Sequence, residues 1–485
     1  MAYAELVLVP TPGMGHLVSM VEMAKLLVDC DPRLSITVLI MKLPIDSEVD
    51  SYTSSLATSM DATRIRFVHL PRVNSDPEIS SGTFLTHFME SNKPHVKQAV
   101  ADLADSAGSI RRLAGFVIDM FCTTMIELAD EFGVPSYVFF TSSAAFLGLM
   151  LHLQSLQDEQ HMDITKFKDS DTELDFPSLA NPLPAKVLPS VVLIKEAVQP
   201  FLEHAKRIRA VKGIIINTFD ELEPHAVGSL ASLGAPTVYP VGPILNLKGE
   251  TKTKADGGGR GDDIMEWLNE QPPSSVVFLC FGSRGSFRED QVKEIAYALD
   301  RSGHRFLWSL RRPPSKGKFD LPRDYTDPAE VLPEGFLERT AGVGKVIGWV
   351  PQAAVLAHPA VGGFVSHCGW NSTLESIWFG MAVATWPLYA EQQFNAFELV
   401  AELGLAVEIK MDYRRDFLME SDFVVTADEI EGGIKKLMED ASSERWKKVK
   451  EVSEKSGKAL MEGGSSHLAL GHLVEDILNN MPSLR

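Results

Sequence analysis

The strongest constraint in this sequence is its alternation. Short β-branched or aromatic runs at 5–10, 35–41, 64–70, 115–119, 136–140, 213–217 and 237–241 are separated by longer stretches of helical period. Runs spaced in this way are joined by crossover helices, so the pattern predicts an α/β fold built on a mostly parallel sheet. The first crossover shows the pattern in detail. After the turn Pro12-Gly13-Met14-Gly15, the residues Leu17, Val21, Ala24 and Leu27 recur on one helical face, with Met20 and Leu26 beside them. At 246–263 the alternation gives way to a glycine-rich, charged stretch with almost no apolar residues, which reads as a linker. It then restarts at 276–281, 305–310, 345–349, 363–367, 383–387 and 405–409.

Four divisions follow: a first parallel-sheet domain over 1–245, the linker 246–263, a second parallel-sheet domain over 264–464, and a C-terminal helix over 465–485. That helix carries Leu470, Leu473, Val474, Ile477 and Leu478 on one face. It needs an apolar surface to cover and is expected to pack back across the domains. Two stretches without clear period, 154–188 and 312–333, are rich in Asp, Pro, Lys and Ser and read as surface loops bordering a binding site.

With 485 residues, 45% of them hydrophobic, the chain can bury two large cores. Its net charge of −19 repels phosphate backbones and anionic lipid, which argues against nucleic-acid partners. An anionic small ligand would have to be held by backbone amides at a helix N-terminus, against that background. The four cysteines are far apart and form no C-x-x-C pair, as expected in a reducing compartment, the cytoplasm. The apolar run at 6–10 is too short for a signal peptide, and no stretch approaches the roughly 18–20 apolar residues of a membrane span, so no membrane insertion is expected.

Two nucleotide motifs fail on inspection. Gly13-Met14-Gly15 begins like a dinucleotide fingerprint, but Val18 stands where the third glycine belongs. Gly342-Val343-Gly344-Lys345 lacks P-loop spacing and is followed by Val346 rather than Ser or Thr. His367-Cys368 offers no chelating pair, and no metal is expected.

His16 is better placed, because it sits where a strand has ended and a helix begins, the position at which open α/β sheets bind ligands. The positive end of the helix dipole would keep its ring neutral and able to act as a general base. Taken alone it reads more readily as a hydrogen-bonded turn histidine, and a partner is needed to make it a base. Asp119 ends the apolar run 115–119 and either orients His16 or caps the segment that follows. In the second domain, a strand, a His-Cys-Gly-Trp turn and a helix opening at Asn371-Ser372 and stopping at Gly380 form a candidate anion site. Asn371, Ser372 and Glu375 share a polar face there, with Glu375 one turn along to meet ribose hydroxyls, so a nucleoside diphosphate is the natural ligand. The bland alternative makes Asn371 and Ser372 ordinary caps, and Trp349 and Trp370 core aromatics.

The segment 349–392, WVPQAAVLAHPAVGGFVSHCGWNSTLESIWFGMAVATWPLYAEQ, resembles the signature box of plant secondary-metabolite UDP-glycosyltransferases. The likeness extends from the His16 turn to the C-terminal helix. It implies the GT-B architecture, two facing Rossmann-like domains with the active site in the cleft. By this resemblance His16 is the catalytic base and Asp119 its orienting partner. Trp349 would stack on uracil, with Val350 and Gln352 on the uridine and Glu375 on the ribose. His367, Asn371, Ser372 and Ser283 would hold the diphosphate. Trp370, Glu391 and Gln392 would meet the sugar, with Tyr389 lining the same pocket, and Gln392 favours glucose.

Met14, Phe88, Phe121 and Phe140 are candidate walls for the acceptor, and each is equally suited to core packing. Arg284 either adds a cation near the diphosphate or lies in solvent. Gly380-Met381-Ala382 departs from the family's usual Gly-Val-Pro and loses a turn-fixing proline. The implied reaction is inverting transfer of glucose from the co-substrate UDP-glucose to a hydroxyl of a small hydrophobic plant metabolite, such as a flavonoid, chalcone, other phenolic or terpenoid. The product is a β-O-glucoside, the enzyme needs no cofactor and no metal, and it acts as a monomer. The competing readings are the same fold using another UDP-sugar, and a catalytically silent nucleotide-sugar-binding protein.

Overall fold

The computed structural model describes residues 3–43, 48–59, 64–73, 84–106, 111–247, 260–315, 321–413, 422–438 and 443–482. Most of the expected linker, 248–259, lies outside the described residues, and a helix runs over Arg260–Asn269.

The first sheet has strands β1 (Tyr3–Val9), β2 (Leu34–Ile40), β3 (Ile65–His69), β4 (Arg111–Asp119), β5 (Ser136–Phe140), β6 (Gly213–Ile216) and β7 (Thr237–Pro240). They lie in the order β3-β2-β1-β4-β5-β6-β7, all parallel. The second sheet has β8 (Val276–Cys280), β9 (Arg305–Ser309), β10 (Gly344–Ile347), β11 (Val361–Ser366), β12 (Val383–Thr385) and β13 (Ala406–Glu408). Their order is β10-β9-β8-β11-β12-β13, again all parallel. Every apolar run in the sequence is therefore a strand of one of the two sheets. Most central strands are buried along their length, which is why they read as continuous rather than alternating apolar runs.

Strand order reverses between β1 and β4 in the first sheet and between β8 and β11 in the second. At such a point the crossovers leave in opposite directions and a crevice opens at the carboxyl ends. His16 follows β1 and Asp119 ends β4, while Ser283 follows β8 and His367 follows β11. Both crevices thus carry residues singled out from the sequence.

The helix Met14–Cys30 buries Leu17, Met20, Val21, Ala24 and Leu27 against the first sheet, each large apolar side chain contributing about 1.5–3 kcal/mol. The C-terminal helix Ser465–Asn479 leaves the second unit and buries Leu473, Val474 and Ile477 in the first unit's core. Tyr137 donates to Asp476 Oδ2 at 2.7 Å in the same contact.

The two aperiodic stretches are less loop-like than expected. Residues 154–160 complete the helix Ala144–Gln160, and Ile164, Phe176, Leu179, Leu183 and Leu188 join the core. Their apolar residues are too widely spaced to show a period, yet each finds a place. In the second stretch, Arg311–Arg312 and Arg323–Asp324 form a two-stranded antiparallel ladder, and Val331 and Leu332 are buried.

A single π-helical turn, Glu398–Glu402, links the units. Glu402 accepts from Ala180 N and Asn181 N, both at 2.8 Å. Glu398, fully buried, meets the equally buried Glu223 of the first unit, whose carboxylate accepts from Ala144 N at 3.1 Å and Ala145 N at 2.8 Å. Burial and then the Glu223 charge push the Glu398 carboxyl well above the usual range, with Glu402 adding to the effect. The backbone donors favour the charged form of Glu223, so Glu398 holds the proton of the pair. A raised carboxyl pKa is stabilising while the proton is retained, and that stability is lost as pH rises through it. Glu398→Gln keeps an N–H donor that cannot ionise, so its thermal midpoint should fall less than that of the wild type over the pH range above that of an ordinary carboxyl. Parallel melting curves across that range would show that this proton does not hold the units together.

Candidate active site

A cavity of about 440 Å³ lies between the two units, lined from the first by Met14, His16, Phe121 and Thr141 and from the second by residues of both crevice loops and the 349–375 segment. His16 Nδ1 is 2.9 Å from Asp119 Oδ2. Asp119 is fully buried, and its other oxygen accepts from Thr11 Oγ1 at 2.6 Å and from Phe121 N at 3.2 Å. It caps no helix, because the turn Thr123–Met125 begins at Cys122 without a side-chain cap. With Nδ1–H directed at Asp119, the lone pair of the half-buried ring is on Nε2. Thr141 Oγ1, 3.2 Å from Nδ1, and the edge-on ring of Phe121 complete the setting.

The sequence predicts that the helix dipole keeps His16 neutral by lowering its pKa. The structure reverses the direction. Burial does disfavour the imidazolium, but the Asp119 charge and hydrogen bond, with the Glu391 charge, outweigh it and lift the ring above 6.5. Arg284 opposes this shift, and its guanidinium lies against the turn that carries His16, since a Cβ on Gly13 would stand 3.5 Å from Nη2.

On the second unit, His367 ends in a fully buried ring whose Nδ1 has no hydrogen-bond partner among the described residues, and burial lowers its pKa to about 4, so it is neutral. A Cβ on Gly282 or Gly369 would come within 2.6 Å or 2.7 Å of its Nε2, so only glycines allow the ring between them. Cys368 next to it takes a left-handed φ of 62°, held by Asn395 Nδ2 on its carbonyl at 2.9 Å.

The helix Trp370–Trp378 starts from Gly369 without a side-chain cap, so Asn371 and Ser372 are not its caps. Asn371 Nδ2 instead crosses the cleft to Ser19 Oγ at 3.1 Å, and Trp370 Nε1 donates to Asn217 O at 2.7 Å. The amides of the first turn have no side-chain cap. Gln352 Nε2 donates to Ser372 Oγ at 2.8 Å and to Glu375 Oε2 at 2.7 Å. Burial raises Glu375 to about 7, with the Gln352 bond pulling the other way.

Ser283, Trp349, Val350 and Glu391 also line the cavity. Gln392 and Tyr389 lie just behind the wall: Gln392 Oε1 accepts from Leu388 N and Tyr389 N, and the Tyr389 ring is 6.4 Å from that of His367. Of the acceptor-wall candidates, Met14 and Phe121 line the cavity, whereas Phe88 and Phe140 are buried in the core of the first unit. Sequence reasoning missed Thr11, Ser19, Thr141, Asn217 and Arg311. These residues have no periodic signal, and only the parallel pairing of β1 with β4, Val9 opposite Ile118, brings Thr11 to Asp119.

The UDP-glucoronosyl and UDP-glucosyl transferase family profile matches residues 233–440. The chain is 60% identical over 480 residues to a putative UDP-glucose flavonoid 3-O-glucosyltransferase of Fragaria ananassa, covering 98% of this chain and 99% of that one. It belongs to the UDP-glycosyltransferase family. A UGT transferase from Siraitia grosvenorii in complex with UDP superposes with a TM-score of 0.87 at 48% identity, over 98% of this chain and 100% of that chain. UGT71G1 of Medicago truncatula, complexed with UDP-glucose, gives 0.85 at 43% identity, over 98% of each chain. The two-sheet fold of this glycosyltransferase is therefore GT-B.

If His16 is the base, activity fails on the acid side as its ring takes a proton. Removing the opposing charge in Arg284→Ala raises the His16 pKa further, so the acid limb of kcat/KM should move to higher pH. A limb that stays put, or moves to lower pH, would detach Arg284 from His16.

Proposed function

We propose that this protein transfers glucose from UDP-glucose to a hydroxyl of a small hydrophobic acceptor, a flavonoid or related phenolic, with inversion to the β-O-glucoside. The observation that carries the reading is the buried Asp119 holding His16 on one wall of a cavity whose opposite wall is a helix N-terminus. In this reading 1–245 forms the acceptor side and 264–464 the donor side. Trp349 stacks on uracil, Glu375 takes ribose hydroxyls, and Ser283, His367, Asn371 and Ser372 hold the diphosphate. Trp370, Glu391 and Gln392 are assigned to the sugar.

The acceptor hydroxyl gives its proton to His16 Nε2 as its oxygen attacks the anomeric carbon. The new C–O bond forms as the bond to the β-phosphate oxygen breaks, and UDP leaves on the opposite face. Asp119 stabilises the imidazolium so formed. The charge developing on UDP falls on helix-terminal amides and hydroxyls, preorganised donors that need no reorganisation during the reaction. The relatives named above support glucose as the sugar and phenolics as acceptors. Three of the four free cysteines are buried, which suits a cytoplasmic protein, and no described helix is long and apolar enough to cross a membrane.

A mass-spectrometric screen of UDP-sugars against flavonoid, chalcone, simple phenol and terpenoid alcohols, run with and without EDTA, tests the reading. The expected result is a one-hexose adduct with UDP-glucose in both conditions. His16→Ala should lower kcat by about 10²–10⁴-fold while UDP affinity stays close to wild type. Trp349→Ala should weaken UDP by roughly 5- to 150-fold, the cost of about 1–3 kcal/mol of base stacking. UDP binding without transfer to any acceptor would favour the silent-binder reading instead.

A further inference from the structure

We infer that Asp324, outside the cavity, is a positioning residue for the donor base site, and that Arg311 and Gly348 are built around it. The inference rests on the assignment of Trp349 to uracil.

The indole of Trp349 can stack on a base only if its backbone is fixed, and Trp349 follows β10 at a turn rather than within a regular element. Two contacts fix that turn. Ser309 Oγ, from the end of β9, donates to Gly348 O at 2.8 Å. Asp324 Oδ1 accepts from Trp349 N at 3.0 Å. Asp324 reaches this place because the stretch after β9 doubles back, Arg311 pairing opposite Asp324 in the short antiparallel ladder. The same carboxylate oxygen lies 3.0 Å from Arg311 Nε, an ion pair whose arginine side chain is 12% and aspartate side chain 28% exposed. Arg311 Nη2 also donates to Pro322 O and ties down the other side of the ladder.

Gly348 supplies the independent sign that the carboxylate is seated tightly. A Cβ there would lie 2.3 Å from Asp324 Cγ and 2.5–2.6 Å from its two oxygens, closer than any real contact. The turn therefore has a glycine where the acid must pass, an acid bonded to the backbone of the stacking residue, and a cation that holds the acid. Arg311 itself lines the cavity beside Trp349 and Ser309, whereas Asp324 does not. Asp324 thus acts through Trp349, and its effect belongs to donor affinity rather than to chemistry.

The test is a kinetic split combined with a double-mutant cycle. Asp324→Ala should raise the KM for the UDP-sugar and the Kd of UDP at least about fivefold, the lower range for losing a charged hydrogen bond, while kcat at saturating donor and the acceptor KM stay within about twofold. Asp324→Asn keeps an oxygen for Trp349 N and should recover most of the affinity. Gly348→Ala should weaken UDP in the wild type but add nothing in the Asp324→Ala background, where the atoms it strikes are gone. Unchanged UDP affinity in Asp324→Ala, or additive losses in the double variant, would overturn the inference. So would a fall in kcat at unchanged donor KM. Failure of Trp349→Ala to weaken UDP would instead overturn the uracil assignment, which separates the two claims. Near-ultraviolet circular dichroism of each variant checks that a loss of affinity is not a loss of fold.

Discussion

The cavity between the units exists because the carboxyl edges of two parallel sheets are held face to face, and one bond stands at the centre of that arrangement. Trp370 Nε1 donates to the carbonyl of Asn217, which follows β6 of the first sheet. The Asn217 side chain also accepts from Ile244 N at 2.7 Å and donates to Ile244 O at 3.2 Å, gripping the chain just before it leaves the first unit. A single buried asparagine therefore fixes both the departure of the connecting segment and the first residue of the helix assigned to the diphosphate. Leaving such groups unpaired in a buried interface would cost about 1–3 kcal/mol each. The π-helical turn, with Glu398 and Glu402, adds a second set of polar contacts between the units.

This division of labour explains why so much of the fold was legible in the sequence. Parallel strands buried on both faces need unbroken apolar runs, and crossover helices need a 3.6-residue period, so the run at 136–140 and the face Leu17, Val21, Ala24 and Leu27 leave clear marks. Residues at the carboxyl ends of strands were legible for a related reason: topology sends them to the crevice, as with His16 and Asp119.

The misreadings have a shared cause as well. The cap alternative for Asn371 rested on local sequence, yet its side chain answers to Ser19, which is remote in sequence. Phe88 and Phe140 looked like possible walls because an aromatic near a strand end can face either way, and the packing of the first unit turned both inward. The direction of the His16 pKa shift was misjudged because the helix dipole is a local feature whereas Asp119 arrives through strand pairing. In each case the deciding partner comes from a distant segment, brought near by strand pairing or by the meeting of the two units.

With His16 as the proposed base, the upward shift of its pKa also bears on which hydroxyls would be activated. A base accepts a proton at a cost set by the gap between its own pKa and that of the donor, about 1.4 kcal/mol per unit. A phenolic hydroxyl, with a pKa near 10, is already within a few units of a ring lifted above 6.5. An aliphatic alcohol, close to water at about 15.7, remains much farther away. By raising the base rather than lowering it, the buried carboxylate narrows the gap for every hydroxyl, and it brings the weakly acidic ones closest to a matched, reversible proton transfer.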